Sequence, residues 1–169
     1  MFSFKAKIKA DDLGKALYQL TTNPTFLEDF VNKLNKDNSL DNDKIRNELI
    51  ILTIFITDIL LHSKKIGKSY RNHIDEVLYH YLSNFKSQTE KEGTSEKFID
   101  LLEERSKTYN NLIQSDNISE NVHFPSKIAE EIAKYCGAEN QPIFIMRVMG
   151  FWKIQFDTVS DLFNKLKIV

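Results

Sequence analysis

The chain has 169 residues and a formal net charge of -1, from 23 lysines and arginines against 24 aspartates and glutamates. This length is typical of one domain, and the balanced charge without long blocks of either sign argues against nucleic acid as the main partner. The single cysteine excludes an internal disulfide, and the lysine-interrupted N-terminus MFSFKAKIKADD does not resemble a secretory signal, so we predict a cytoplasmic protein.

The first segments predict two short helices. Residues 11 to 21 place their leucines on one face, as an amphipathic helix does. Asn23 and Pro24 then favour the start of a second helix, because asparagine caps helices and proline suits their first turn. Thr25 with Glu28 also satisfies the capping-box pattern.

The stretch ELIILTIFITDILLH, residues 48 to 62, is the longest apolar run of the chain. It falls short of the roughly 20 apolar residues that a membrane-spanning helix needs. A helix that is apolar on nearly all sides is usually surrounded by other helices, so we predict that residues 48 to 61 form the central helix of the core. Asp41 and Asp43 are suited to the beginning of this helix, where acidic side chains complement the helix dipole.

The second half of the chain predicts four more helices. They cover residues 69 to 86, a segment that begins at Thr94, a shorter segment from Pro125 to the glycine at 137, and a long amphipathic segment from Pro142 to Leu166. The polar stretches SQTEKEGT and SDNISENVHFP separate them. The sequence therefore predicts an all-α, single-domain helical bundle, residues 1-169, with about six to seven helices.

An α+β fold is the alternative. Residues 2-8 alternate between apolar and lysine side chains, and residues 143-156 contain the alternating stretch FWKIQF. These segments could pair in a small sheet. The helical interpretation is favoured because helical spacing continues from Trp152 to Leu166.

Two acid and histidine pairs form a candidate metal or ligand site. Asp58 and His62 are four residues apart, and so are Glu76 and His80, so each pair shares a helix face. Facing pairs of this kind can hold a metal inside a helical bundle. The ligand number and spacing do not match known bundle sites, however, so structural roles are favoured and neither a cofactor nor a bound transition metal is predicted.

Arg147 is a charged residue in the apolar half of the last helix. A buried guanidinium needs a partner, and Asp58 is the candidate because it lies inside the other apolar helix. The favoured interpretation is an exposed Arg147 whose stem lies along the core. The basic segment KKIGKSYR, residues 64 to 71, could contact phosphate, but a solvated connection is favoured.

Function can be predicted only as a class, because the sequence contains no motif that specifies a reaction and no catalytic residue can be named. Ile143, Met146 and Ile154 lie outside the inner face of the last helix, so they are either covered by other helices or exposed as an interface. We predict a cytoplasmic protein-interaction module, such as an adaptor, inhibitor or small regulatory or immunity factor, that binds a protein partner and forms a homodimer. One alternative function is metal or ligand binding through the pairs above.

A further alternative is binding to a membrane surface through the N-terminus. Phe2 and Phe4 alternate there with Lys5, Lys7 and Lys9, a combination of apolar and basic side chains that suits an anionic bilayer.

Overall fold

The fold is known from a computed structural model that describes residues 6-36, 40-63, 67-89, 95-115 and 124-168. Over these residues the chain forms seven helices and one two-stranded sheet. The elements are β1 (Ala6–Ile8), α1 (Ala10–Thr21), α2 (Pro24–Leu34), α3 (Asn42–Ser63), α4 (Lys68–Thr89), α5 (Ser95–Ser115), α6 (Phe124–Cys136), α7 (Pro142–Lys165) and β2 (Leu166–Ile168). The prediction of an all-α helical bundle is confirmed.

Helix α3 is the central element, as the apolar run predicts. Every residue from Glu48 to Thr57 is buried, and the helix contacts α1, α2, α5, α6 and α7. The hydroxyls of Thr53 and Thr57 donate hydrogen bonds to the carbonyl oxygens one turn earlier, which satisfies these polar groups inside the core. Over the residues described, none of the helices combines the length and apolarity needed to cross a membrane.

The helix starts follow from capping chemistry. Asn23 accepts a hydrogen bond from the backbone N–H of Phe26 at 3.0 Å, so it caps α2 as the sequence indicates. The predicted Thr25 and Glu28 capping box is wrong, because Thr25 already lies inside α2 and Glu28 instead binds Arg46 of α3. Asp41 accepts hydrogen bonds from the backbone N–H groups of Asp43 and Lys44 and so begins α3.

The strand alternative is wrong for residues 143-156, which lie inside α7. Its other segment contains a real strand, since Ala6–Ile8 forms β1. The partner of β1 is β2, at the other end of the chain, and the two strands run parallel with Lys7 opposite Lys167. Residues 2 to 5 lie outside the described part of the chain.

Helices α1 and α4 pack closely through a glycine. A Cβ built on Gly14 would lie 2.7 Å from Cγ1 of Val77 and 3.2 Å from the carbonyl oxygen of Ile74. Side chains larger than a hydrogen atom therefore do not fit at residue 14 without movement of α4.

Candidate functional site

Helix α7 packs on the bundle through a buried aromatic face. Pro142 occupies its first turn, where a proline is tolerated because the missing N–H has no helical partner. The ring of Phe151 lies 4.9 Å from Phe30 and 5.7 Å from Phe26, both on α2. The buried residues of this face are Phe144, Val148, Phe151, Trp152, Gln155, Val159 and Phe163. This packing fixes which side of α7 faces solvent.

The opposite side of α7 is apolar over its first three turns. Ile143 is 62% exposed, Met146 70% and Ile154 44%. Met149 and Gly150 are also exposed and lie between them along the helix. We call these five residues the α7 outer face. The residues that the sequence singled out as an interface are thus on the surface of the described chain.

Charged side chains appear on this side from Lys153 onward, next to Ile154. Lys153 binds Asp157 at 2.8 Å and Lys165 binds Asp161 at 3.4 Å, each pair four residues apart on the helix surface. These exposed ion pairs contribute little to stability but keep the end of α7 well hydrated. The apolar α7 outer face is therefore bounded by charge at its C-terminal end.

A buried charge network joins α3, α5 and α6. Glu48 of α3 accepts a hydrogen bond from Nε of Arg105 at 2.9 Å and one from the hydroxyl of Tyr109 at 3.2 Å. The guanidinium of Arg105 also lies 3.2 Å from the ring centroid of Tyr135 on α6, in a cation–π contact, and binds Glu104 at 2.6 Å. Both carboxylate oxygens of Glu48 therefore accept a hydrogen bond, and Nε and Nη1 of Arg105 each donate one to a carboxylate.

The electrostatics of this network follow from its burial. Removal from water raises the pKa of Glu48, an effect that the charge and hydrogen bond of Arg105 oppose. For Arg105, burial acts to lower the pKa, but the charge and hydrogen bond of Glu48 outweigh it and the pKa is raised. Burial together with the charge of Glu48 also raises the pKa of the Tyr109 hydroxyl, which therefore stays a hydrogen-bond donor.

Sequence reasoning did not find this network, although a signal was present. Arg105 lies four residues before Tyr109 and three after Leu102, so it occupies the apolar stripe of its helix. Glu48 stands at the edge of the apolar run of α3, one residue before Leu49. A charged residue inside each of two apolar stripes is the pattern that predicts a buried pair.

The candidate metal residues are placed apart. Nδ1 of His62 lies 3.0 Å from the carboxylate of Asp58, and both side chains are exposed. In the second proposed pair, Glu76 lies 3.6 Å from His73, which also binds Asp11 of α1, and His80 is exposed on α4. Among the described residues, no three His, Cys, Asp or Glu side chains lie close enough together to hold a metal ion.

The α4 acid near the Asp58 and His62 pair is Asp75. Burial, followed by the charge of Asp58, raises the pKa of Asp75, whereas His62 and Arg71 act in the opposite direction. The sequence did not indicate Asp75 because the acid-to-histidine spacing selected its neighbour, Glu76.

The suggested pair of Asp58 with Arg147 is not formed. The guanidinium of Arg147 donates a hydrogen bond to the carbonyl oxygen of Lys33 in the last turn of α2, where a positive charge complements the helix dipole. The side chain is partly exposed, in line with the favoured interpretation. This hydrogen bond therefore connects α7 to α2.

Cys136 is a buried packing residue at the end of α6. Burial and the nearby charge of Glu48 raise the pKa of its thiol to about 12. The thiol is therefore protonated at neutral pH, and a protonated thiol is a poor nucleophile.

The fold and its surface define an all-α bundle with an exposed apolar helix face and a buried ion pair. Comparisons of the chain with protein-family models, with curated proteins and with solved structures find no match.

Proposed function

We propose that this protein is a cytoplasmic protein-interaction module that associates with a second copy of itself through the α7 outer face. The observation that carries the proposal is the exposure of Ile143, Met146 and Ile154 on one side of a single helix. Contiguous exposed apolar patches on soluble domains commonly mark protein interfaces. The free, buried Cys136 suits a reducing compartment, which supports the cytoplasm as the site of action.

Gly150 supports a contact with another helix. A glycine inside a helix costs roughly 0.5 to 1 kcal/mol relative to alanine. No packing within the described chain requires it, because a Cβ built on Gly150 meets no atom within 4 Å. A missing side chain at the centre of an apolar face lets the backbone of a partner helix approach closely.

The charges along α7 favour an antiparallel contact between the two copies. The acidic residues Asp157 and Asp161 both lie beyond the C-terminal end of the α7 outer face. A parallel arrangement would bring these acids close to their equivalents in the second copy. An antiparallel arrangement about a two-fold axis joins the two apolar faces and separates the acids.

The size of the face predicts a weak dimer. Five residues of one helix offer an apolar area on the order of a few hundred Å² per copy. Two such patches bury less than the roughly 1,200 Å² that separates stable from transient interfaces. We therefore expect a dissociation constant in the micromolar range.

Sedimentation velocity over a concentration series tests the dimer. Met146→Glu places a charge at the most exposed position of the face and should shift the dissociation constant by at least about tenfold. The matched control is Gln19→Glu, which adds the same charge at an exposed position on α1. Both variants should keep the helical circular dichroism spectrum of the wild type.

Two results would overturn the proposed dimer. One is a wild-type protein that stays monomeric up to about 100 μM, well above the expected micromolar constant. The other is a dimer that Met146→Glu and Gln19→Glu weaken equally, because the contact would then lie elsewhere.

A further inference from the structure

The parallel pairing of β1 with β2 places lysines from both ends of the chain side by side. Lys7 pairs with Lys167 in the register of the sheet, and both side chains are exposed. The pairing joins two segments that are 160 residues apart, so the sequence alone does not show this cluster.

Lys9 extends the same basic surface. Side chains alternate along a strand, so Lys7 and Lys9 point to one side while Ile8 points to the other. The backbone of Lys9 is still extended, with φ -76° and ψ 153°, which continues the alternation beyond β1. Ile8 and Leu166 pack against the hydrophobic core, and this fixes the lysine side as the solvent side. We call Lys7, Lys9 and Lys167 the basic ribbon.

No ion pair neutralises the basic ribbon within the described part of the chain. None of its three lysines forms an ion pair there. Two acids follow Lys9 in the first turn of α1, of which Asp11 is bonded to His73 and Asp12 is exposed, while Asp161 is bonded to Lys165. Like charges at directly opposite strand positions repel each other and destabilise a sheet. An anion bound between Lys7 and Lys167 would reduce this repulsion.

The surroundings of Lys9 add an aromatic side chain. Lys9 and Tyr70 line the same open cavity of about 420 Å³, together with Ala10, Asp11, Ser69 and His73. Tyr70 is 46% exposed. Tyrosine beside lysine is typical of protein surfaces that contact the headgroup region of a bilayer.

We propose that the basic ribbon binds the surface of an anionic phospholipid bilayer. Lysines are flexible point charges, whereas a discrete phosphate group is held best by the planar fork of arginine. Lys7 and Lys167 stand on an open sheet face, which matches a flat, negatively charged surface better than a single small anion. This surface is distinct from the α7 outer face and does not depend on the dimer.

Vesicle sedimentation tests the basic ribbon directly. The probes are vesicles of phosphatidylcholine alone and vesicles of an equal mixture of phosphatidylcholine and phosphatidylserine. We expect the full chain to bind only the mixed vesicles at about 0.1 M NaCl and to be released at about 1 M, where the Debye length falls to roughly 3 Å. The double variant Lys7→Glu with Lys167→Glu should lose at least about tenfold in affinity.

The matched control is Lys15→Glu with Lys36→Glu, which changes the net charge equally at an exposed lysine of α1 and at one just beyond α2. It should retain most of the binding. If the ribbon variant loses its helical circular dichroism spectrum, Lys7→Gln with Lys167→Gln replaces it and should lose affinity in the same direction.

Each of the following results would overturn the proposal. Binding could be absent from mixed vesicles at low salt, or equal on neutral vesicles. The control pair could weaken binding as much as the ribbon pair. Soluble polyphosphate could bind the basic ribbon as tightly as the vesicles do, which would make the ligand a free phosphate chain and not a bilayer.

Discussion

Glu48 and Arg105 are buried together, and the loss of either one leaves the other charge in a dry environment. We expect Glu48→Ala to lower the free energy of unfolding by about 3 to 5 kcal/mol, the range for breaking a buried ion pair. Glu104→Ala is the matched control, because Glu104 binds the same guanidinium but its side chain is 65% exposed. It should cost less than about 1 kcal/mol. Urea unfolding of both variants measures the difference, and equal losses would show that Glu48 is not the principal partner.

The raised pKa of Glu48 also predicts a dependence of stability on pH. The native state holds this proton at pH values where the unfolded chain has released it. The free energy of unfolding therefore falls as pH rises from the ordinary glutamate value of 4.5 to the raised value. Glu48→Gln lacks this contribution, so the stability difference between wild type and variant should decline through that window and be constant below it. Urea midpoints at a series of pH values provide the measurement, and a difference without slope would contradict the shift.

Alanine substitutions at two helical glycines should change the stability of the protein in opposite directions. Gly14→Ala forces a Cβ to within 2.7 Å of Val77, so α1 and α4 must separate and stability should fall by about 1 to 3 kcal/mol. Gly150→Ala enters open space on α7 and should stabilise the monomer by about 0.5 to 1 kcal/mol. Thermal unfolding at concentrations below the dimer dissociation constant measures both. No loss from Gly14→Ala would mean that the contact between α1 and α4 is looser than its geometry indicates, and a loss from Gly150→Ala would contradict the open space around residue 150.

Helices could be predicted from the sequence because their signals are local. Apolar spacing and the caps Asn23, Pro24 and Asp41 determine where α2 and α3 begin, and these signals lie within a few residues of the ends they define. The strand partner of Ala6–Ile8 could not be found in this way. Alternation shows which side of a strand is apolar but says nothing about which segment pairs with it.

The candidate sites differ in the same respect. Exposure of Ile143 and Met146 follows from one helix and its spacing, so the sequence could single these residues out. The Glu48 and Arg105 pair and the basic ribbon join residues that are far apart in the chain. Their positions depend on how whole elements pack, which a local pattern does not specify.

In the molecule as a whole, the hydrophobic core is built around α3. Leu52 and Ile56 have no exposed surface, and the neighbouring residues of the helix are buried as well. Leu52→Ala and Ile56→Ala should each destabilise the protein by about 2 to 5 kcal/mol, because each leaves a cavity that the surrounding helices fill only in part. Amide exchange should be slowest in α3, since its hydrogen bonds open only when the bundle does. Fast exchange between Ile50 and Leu60 would be incompatible with this central position.

The parallel pairing of β1 with β2 also has a mechanical consequence. Because β1 and β2 run in the same direction, the chain enters the two-stranded sheet at one end and leaves it at the other. Tension along the chain would therefore pull the two strands in opposite directions along their length. The hydrogen bonds between them would bear the load together in shear, whereas an antiparallel pair pulled from one end would open one bond after another. The helices between β1 and β2 in the chain would carry no load until the two strands slide past each other.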